Sequence, residues 1–382
     1  MFDFDNPPDR RGTDSAKWRK YHGKDIIPMW VADMDFISPA PVIEALHRRI
    51  DHGVFGYGAV SQTLTATVIH YLQRSFHWQV APKWIVWLPG VVPGFNVACR
   101  SVGEPGDAVL TTVPAYPPFL SAPGNTHRRL ITSRWRHSNY HWEMDFDDLQ
   151  KSIDARTRLF ILCNPHNPTG RVLTRDELTA LARICMDRGL VICSDEIHCD
   201  LITEPGCRHI PMASISPEIA RNTITLMAPS KTYNVPGLGC AFAVIPDDTL
   251  RRRFKRAMTG IVPHLNIMGM VAAQAAYQHG GPWLDAVIDY LRRNRDVVTR
   301  EVNRMPGLAM GKVQATYLAW IDVRELKVDN PGKWFESAGV GLSDGIDFDG
   351  RGFVRLNFGC QQDLLARALE RMAAAVRRHR SI

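Results

Sequence analysis

The alternation of apolar and polar positions divides the middle of the chain into strands separated by helices. Apolar runs rich in β-formers predict five strands, at residues 108–113, 159–162, 191–194, 223–227 and 240–245. The clearest helical pattern covers residues 174–188, with Asp176 and Glu177 in its first turn and Gly189 as a stop signal. Strands that alternate with helices indicate βαβ crossovers, so we predict an α/β protein with a mainly parallel, doubly wound sheet.

The last third of the chain has a different pattern. A long helix, two strands and a final helix are predicted at about residues 282–305, 316–323, 353–358 and from 364 onward. Together with the Pro-rich N-terminal segment, these elements predict a second, smaller α+β domain. We therefore assign residues 46–278 to a large domain, and residues 1–45 and 279–382 to the small one.

Composition and charge narrow the classes of function. The chain has 382 residues, is 45% hydrophobic and carries a formal net charge of +7. Its basic residues are scattered, and the local runs at 251–253 and 377–380 lie in amphipathic helical patterns without interleaved aromatics, which favours solvated helix faces over nucleic-acid binding. No stretch approaches the roughly 20 apolar residues that cross a bilayer. The acidic N-terminus has no signal-peptide pattern, so we expect a cytoplasmic protein.

The cysteines and histidines do not predict a metal site. The eight cysteines form no Cys-x-x-Cys pair, and several lie in apolar strand patterns, which indicates reduced thiols packed in the core. His137 and His141 have the i, i+4 spacing of a metal pair but lack the Glu-x-x-His context. We therefore expect no bound metal.

Lys231 is the strongest candidate for covalent chemistry. It follows the apolar run 224–227, at the strand end where open α/β sheets bind ligands. An amine that is partly desolvated there has a lowered pKa and can attack a carbonyl to form a Schiff base. A lysine in a surface loop fits the local pattern equally well, so this segment alone does not decide between the two.

Two further strands end in polar residues. Asp195 and Glu196 follow the run 191–194, where a carboxylate can pair with a protonated pyridine nitrogen or, alternatively, cap a helix. The segment Cys163-Asn164-Pro165-His166-Asn167-Pro168-Thr169-Gly170 follows another strand, and its two Asn-Pro steps favour a rigid turn that presents an amide.

Two loops could hold the flat and the anionic parts of a ligand. Gly90 precedes Val91 and Val92 in a glycine-containing loop that opens onto a helix, where unpaired N–H groups favour a phosphate. Tyr116, held between prolines, could stack on a planar ring or simply fill the core. Each signal is weak when taken alone.

Taken together and in this order, the segments resemble the fold-type I pyridoxal 5′-phosphate (PLP) enzymes of the aminotransferase class I/II superfamily. The resemblance covers essentially the whole chain. Within the superfamily, the chain looks most like the cystathionine β-lyase-like MalY/PatB group of carbon–sulfur lyases. The segments that carry this likeness are Met29-Trp30-Val31-Ala32-Asp33-Met34-Asp35-Phe36, Phe55-Gly56-Tyr57-Gly58, Ser194-Asp195-Glu196-Ile197-His198 and Val354-Arg355-Leu356-Asn357-Phe358-Gly359-Cys360. The resemblance implies a large PLP-binding domain with a mainly parallel seven-stranded sheet, and a small α+β domain formed by both termini.

The resemblance also implies how PLP is held. Lys231 would form the Schiff base, Asp195 would hold the pyridinium, and Asn167 would bond the phenolic oxygen of the ring. His198 would lie near that oxygen, and Tyr116 would stack on the ring. Lys231, Tyr116 and Asp195 are the implied catalytic residues.

The phosphate and the substrate have implied partners of their own. Gly90, Val91, Val92 and Ser230 would bind the phosphate, together with Tyr57 of a second subunit, so the resemblance implies a homodimer. Arg355 would clamp the α-carboxylate of a small amino-acid substrate, which suits a planar guanidinium. Ala32, Asp33 and Tyr116 would also contact the substrate.

The sequence departs from the superfamily pattern at the phosphate. Many members have a hydroxyl three residues before the lysine and an arginine eight residues after it, whereas this chain has Ala228 and Gly239. Ser230 is a candidate replacement for the hydroxyl. The departure predicts looser PLP retention or heavier reliance on Tyr57.

The resemblance predicts β-elimination from L-cystathionine or a related L-cysteine S-conjugate, which yields a thiol, pyruvate and ammonia. The residues themselves indicate only PLP chemistry on an amino acid, because transamination can use the same lysine. An aminotransferase on this scaffold is therefore the first alternative. A regulatory or partner-binding protein that keeps only the fold is the second, and Lys231, Asp195 and Arg355 argue against it.

Overall fold

The computed structural model describes residues 2–380. Its strands are β1 (Ile27–Pro28), β2 (Ile85–Leu88), β3 (Ala108–Val113), β4 (Arg129–Ser138), β5 (His141–Met144), β6 (Thr157–Cys163), β7 (Val191–Asp195), β8 (Thr223–Met227), β9 (Ala241–Val244), β10 (Leu318–Asp322), β11 (Val340–Gly341), β12 (Ser343–Asp344) and β13 (Phe353–Asn357). Its α-helices are α1 (Ala16–Arg19), α2 (Ala40–Asp51), α3 (Gln62–Phe76), α4 (Val91–Ser101), α5 (Pro117–Asn125), α6 (Phe146–Ser152), α7 (Arg175–Asp187), α8 (Pro217–Arg221), α9 (Asp248–Met258), α10 (Ile267–His279), α11 (Gly281–Arg304), α12 (Pro331–Ser337) and α13 (Gln362–Arg380).

The central sheet has eight strands in the order β2-β9-β8-β7-β6-β3-β4-β5. Strands β8, β7, β6, β3 and β4 are parallel, which confirms the prediction of a mainly parallel sheet. Strand β9 runs antiparallel to both of its neighbours. The predicted count of seven strands is wrong, because β5 adds an eighth through a hairpin with β4. Both hairpin strands are partly exposed and contain charged residues, so no apolar run marked them in the sequence.

The helix that was clearest in the sequence forms as predicted, within one residue at each end. Thr174 and Glu177 form a capping box, in which the Thr174 hydroxyl accepts from the Glu177 amide at 3.2 Å and the Glu177 carboxylate accepts from the Thr174 amide at 2.7 Å. Gly189 follows with φ +67°, a left-handed conformation that favours glycine and ends the helix.

The two faces of the central sheet are covered by different helices. Leu159 and Ile161 of β6 point into one apolar cluster together with Phe95 of α4 and Phe254 of α9. The alternate residues of β6 point into a second cluster, which contains α7. This alternation buries the parallel strands on both sides, as expected for a doubly wound sheet.

The two ends of the chain pack against each other. Ile27 and Pro28 pair in parallel with residues 340–341, and β10, β13 and β12 form a separate three-stranded antiparallel sheet. The predicted boundary at residue 45 falls inside α2, and the boundary at residue 278 falls near the end of α10. The exact domain boundaries stay a prediction.

Within residues 2–380, no helix has both the length and the apolar character needed to span a membrane. The eight cysteines, which all lie in this range, are unpaired thiols. Strands β2, β3, β6, β7 and β8 all end at the same edge of the sheet, because β2 and β8 both run antiparallel to β9. This edge faces the N-terminal segment and the three-stranded sheet, and it contains the candidate site.

Candidate active site

A cavity of about 460 Å³ lies at the carboxyl-terminal edge of the central sheet. It is lined by strand ends, by the N-terminal segment and by residues 343–355. Eleven of the thirteen residues predicted from the sequence line this one cavity: Ala32, Gly90, Val91, Val92, Tyr116, Asn167, Asp195, His198, Ser230, Lys231 and Arg355. The other two, Asp33 and Tyr57, do not.

Lys231 lies in the turn that follows β8. Its Nζ donates to the carbonyl oxygen of Ala32 at 2.5 Å. Burial lowers the pKa of Lys231 to about 8, against the opposing effect of the nearby Asp33 carboxylate. A lysine with this pKa is partly neutral near pH 8, and the neutral amine is the form that attacks a carbonyl.

Asp195 is the last residue of β7 and is only 4% exposed. The alternative in which it caps a helix is wrong, because a turn at residues 197–200 follows the strand instead of a helix. Its Oδ1 accepts from the amide of Ile197 at 3.1 Å. Burial raises the pKa of Asp195 to about 7, with a further increase from Glu196. A cation placed against this carboxylate would therefore stabilise its ionised form.

Asn167 and His198 flank the same part of the cavity. The Oδ1 of Asn167 accepts from Arg355 Nη1 at 3.0 Å, so its Nδ2 group is left to donate elsewhere. Burial lowers the pKa of His198 to about 3, so this ring is neutral near pH 7. The His198 Nδ1 atom is buried without a hydrogen-bond partner in the described chain. Both side chains thus have polar atoms available to a ligand.

The start of α4 has features that suit an anion. Gly90 is the N-cap residue, its backbone is extended, and no side chain caps the helix. The first-turn amides of Val91 and Val92 therefore have no intrahelical partner. Such amides, together with the positive end of the helix dipole, favour a phosphate group. Ser230 lines the same cavity.

The backbone at position 239, where the superfamily pattern has an arginine, leaves little room for a side chain. Gly239 has φ +59°, and a Cβ atom there would lie 3.2 Å from the carbonyl oxygen of Pro89. Any side chain at this position would therefore be strained and crowded. Ala228, at the other departing position, is 2% exposed and offers no hydroxyl. At these two positions the chain thus has neither the hydroxyl nor the arginine of the superfamily pattern.

Arg355 is a buried cation on β13 and is 5% exposed. Its Nη2 donates to the carbonyl oxygen of Trp30 at 2.8 Å, and its guanidinium lies 4.8 Å from the centre of the Phe348 ring. Burial lowers the pKa of Arg355 to about 10. No carboxylate among residues 2–380 forms an ion pair with it, and its Nε has no hydrogen-bond partner there. This geometry suits a carboxylate supplied by a ligand.

Tyr116 is the half-buried residue that precedes α5. Burial raises the pKa of Tyr116, and the charge of Asp195 raises it further. Its ring makes an edge contact with Phe119 at 5.7 Å between centroids. The phenol is therefore protonated near neutral pH, and it lines the cavity beside the buried carboxylate.

Residues 30–32 line the side of the cavity opposite the sheet edge, and the segment 30–35 to which they belong is here called the N-terminal wall. The carbonyl oxygen of Ala32 accepts from Lys231 and also from the Tyr317 hydroxyl at 3.0 Å. Asn357 Nδ2 donates to the carbonyl oxygens of Val31 and Asp33, at 2.5 and 2.7 Å. Sequence reasoning missed these contacts, because backbone carbonyls have no sequence signal.

Asp33 and Tyr57 lie outside the cavity lining. The carboxylate of Asp33 pairs with Arg10 at 2.6 Å. Tyr57 is fully exposed at 103% and borders a separate surface depression with Arg49 and Met270. Within a single chain, Tyr57 is therefore not brought together with the others, whereas Asp33 lies outside the lining but close enough to raise the pKa of Lys231.

Comparison with known proteins agrees with this geometry. The family model described as aminotransferase class I and II matches residues 24–372. The chain belongs to this family. A curated family member, cystathionine beta-lyase PatB of Bacillus subtilis (strain 168), is 37% identical over 98% of this chain and 99% of that protein.

Two solved structures extend the family comparison. The crystal structure of OvoB superposes with a TM-score of 0.96 at 46% identity, covering 98% of this chain and 99% of that one. Cystalysin from Treponema denticola, whose crystal structure contains PLP, superposes with a TM-score of 0.93 at 32% identity over 99% of both chains. These matches confirm the family resemblance and the fold implied by the sequence.

Proposed function

We propose that this protein is a PLP-dependent carbon–sulfur β-lyase that converts an L-cysteine S-conjugate and water into a thiol, pyruvate and ammonia. L-Cystathionine is the leading substrate candidate, as it is named for the PatB relative. The observation that carries the proposal is the single cavity that joins Lys231, Asp195 and the unpaired cation of Arg355.

The residues in the cavity fit PLP. Asp195 is a buried carboxylate that a pyridinium would keep ionised, and Asn167 has an amide donor available for a phenolic oxygen. The open first turn of α4, at Val91 and Val92, suits the phosphate. Lys231 would hold the cofactor covalently. Bound PLP supplies an electron sink that makes the substrate Cα–H acidic.

The side chains then divide the remaining work. Arg355 binds the substrate α-carboxylate, and its contacts with Asn167 and Trp30 fix the plane of its guanidinium. Lys231 Nζ, once exchanged for the substrate amine, accepts the proton from Cα and can return one to the departing sulfur. Tyr116, protonated near neutral pH, excludes water from one face of the cavity.

The test is product release from L-cystathionine without any keto acid. Purified protein should form pyruvate and a free thiol, and Lys231→Ala should abolish both. Lys312→Ala is a matched control, because Lys312 is exposed and pairs with Glu204 away from the cavity. A strict requirement for a keto acid would instead identify an aminotransferase, and normal activity in Lys231→Ala would contradict the proposed role of this lysine.

The proposal includes a homodimer in which Tyr57 of one subunit reaches the phosphate in the other. Its support is the exposed segment around Tyr57, in which Val54 and Phe55 are 63% and 60% exposed. Inactive Lys231→Ala and Tyr57→Ala proteins should regain part of the wild-type activity when refolded together, because mixed dimers would contain one intact site. Refolded mixtures without activity would contradict shared sites.

A cytoplasmic location belongs to the same proposal. The eight unpaired cysteines support it, since seven are buried as thiols and such thiols are typical of a reducing compartment. Fractionation of the source cells tests this directly, and enzyme recovered outside the cytoplasmic fraction would contradict it.

A further inference from the structure

The charged groups of the cavity do not all have a part in the proposed reaction. Four charged residues line it, namely Asp195, Lys231, Arg355 and Asp347. The first three would contact the cofactor or the α-carboxylate of the substrate. Asp347 has no such role, and it is the one acidic residue of the lining that is exposed to solvent. It therefore lies where the cavity opens.

The backbone that carries Asp347 is held firmly. It belongs to a 3₁₀ turn at Gly345–Phe348, in which the Asp344 side chain accepts from the Ile346 amide at 2.9 Å. The turn is tied to the sheet edge, because the carbonyl oxygen of Phe348 accepts from the Ala115 amide at 2.9 Å.

Close packing prevents this turn from relaxing outward. A Cβ atom on Gly345 would lie 2.1 Å from the carbonyl oxygen of Gly350, so the two backbone segments are in direct contact. Phe348 is buried between Trp320 and the Arg355 guanidinium. The residue next to Asp347 therefore touches the group that would hold the substrate α-carboxylate.

The Asp347 carboxylate itself has no protein partner. It forms no hydrogen bond and no ion pair with any residue between 2 and 380, whereas the neighbouring Asp349 pairs with Arg134 at 3.7 Å. The cavity lining also contains no lysine or arginine besides Lys231 and Arg355. A second carboxylate on the substrate would thus find no cation in the lining, whereas a positive charge would find an unpaired carboxylate.

We propose that Asp347 is a specificity-determining residue that selects S-conjugates whose leaving thiol carries a positively charged nitrogen. The inference rests on the proposed lyase function and narrows its substrate class. Thiols with a distal ammonium group are favoured, and thiols with only a distal carboxylate are disfavoured. L-Cystathionine has both groups, so its distal ammonium would face Asp347.

The first experiment compares turnover of three conjugates of similar length by the holoenzyme. They are S-(2-aminoethyl)-L-cysteine, S-propyl-L-cysteine and S-carboxymethyl-L-cysteine, and the measurement is kcat/KM from pyruvate release. Because the three thiols differ as leaving groups, each substrate is compared between variants. Asp347→Asn should lower kcat/KM for the cationic conjugate by about threefold to fivefold, the size expected for a solvent-accessible ion pair, and Asp347→Lys should favour the anionic one.

Asp349→Asn is the matched control. Asp349 lies two residues away, its carboxylate is turned to Arg134, and its φ of +55° is one that asparagine tolerates. This variant should leave the order of the three conjugates unchanged. The proposal would be overturned if Asp347→Asn changed kcat/KM by the same factor for all three conjugates. It would also be overturned if Asp349→Asn lowered kcat/KM for the cationic conjugate as much as Asp347→Asn does.

The second experiment measures binding without turnover. L-Lysine, L-norleucine and L-2-aminoadipate have side chains of similar length but no sulfur to expel. Their dissociation constants are measured from the change in visible absorbance of the holoenzyme. The dissociation constant should be smallest for lysine, larger for norleucine and largest for aminoadipate. Asp347→Asn should remove the lysine preference, and added salt should weaken it in the wild type.

The two experiments separate the inference from the function on which it rests. Lysine preference that depends on Asp347, without pyruvate from any conjugate, would support the specificity residue and contradict the lyase. Pyruvate release with the same ligand preference in wild type and Asp347→Asn would support the lyase and overturn the role of Asp347.

Discussion

The sheet edge and the N-terminal wall face each other across one cavity, but they contribute in different ways. At the sheet edge, the candidate groups are side chains at the end of a strand or in the turn after it, as with Asp195 and Lys231. At the N-terminal wall, the contacts come from backbone carbonyls, as at Trp30 and Ala32. Under the proposed function, the side chains at the sheet edge would carry out the chemistry, and the wall would position them.

The strongest test of this division is Asp195→Asn. Loss of the carboxylate should reduce kcat/KM by at least about a hundredfold, because a charge that stabilises the reacting cofactor would be removed. Asp176→Asn, on the exposed start of α7, is the control and should retain full activity. Wild-type activity in Asp195→Asn would contradict a chemical role for the Asp195 carboxylate.

The same substitution should stabilise the protein in the absence of PLP. Burial raises the pKa of Asp195 from 3.8 to about 7, so the folded state holds this proton more tightly than the unfolded state does. Stability therefore falls as pH rises from about 4 to 7 and stays reduced above that range. Asp195→Asn should raise the free energy of unfolding at pH 8 by on the order of 3 kcal/mol, as measured by urea denaturation.

The gain should shrink as the pH approaches 4, where the carboxyl is protonated in both states. If the gain in the free energy of unfolding stayed constant across this pH range, ionisation of Asp195 would not be the cause of the lower stability of the wild type. Asp176→Asn should show no comparable dependence, because this carboxylate is exposed.

Asn357→Ala tests the wall. It would leave the carbonyl oxygens of Val31 and Asp33 without their side-chain donor, which should lower the free energy of unfolding by about 2 kcal/mol. If the wall mainly positions Lys231 and Arg355, KM should rise by a larger factor than kcat falls. As a control, Asn303→Ala removes an exposed amide that bonds the Met310 backbone outside the cavity lining, so it should destabilise the protein less and leave KM unchanged.

Asp33→Asn is expected to have the smallest effect. The Asp33 carboxylate raises the pKa of Lys231, so its removal should shift that pKa below about 8. Capture of PLP by the cofactor-free protein, followed by absorbance, should then reach half of its maximal rate at a pH roughly half a unit lower. Asp9→Asn, in an exposed pair with Arg11, should leave the midpoint unchanged. An unchanged midpoint in Asp33→Asn would contradict the effect of the Asp33 carboxylate on the pKa of Lys231.

The difference between the two regions also explains what the sequence could predict. The strand ends at 113 and 227 were predicted from the sequence, and the end at 195 within one residue, since apolar runs stop where polar residues begin and parallel strands end at one edge. The family resemblance then gave roles to Asn167 and Arg355, which the local pattern alone did not.

The contacts of the N-terminal wall could not be predicted from the sequence in the same way. The Ala32 carbonyl and the orientation of Asp33 toward Arg10 depend on residues far apart in the chain. The hairpin strand β5 was missed for a related reason, because a partly exposed edge strand needs no continuous apolar run. Asp347 was missed because a single exposed aspartate is common, and only its place at the mouth of the cavity distinguishes it.

The hydrogen bonds of the wall also affect when the site can form during synthesis. Trp30 and Val31 are bound by Arg355 and Asn357, which leave the ribosome more than 300 residues later. The segment that contacts the lysine amine is thus made early, and its partners on β13 are made late. Contacts of such long sequence separation slow folding. Until β13 has been made, the carbonyl oxygens of Trp30 and Val31 therefore lack these side-chain donors.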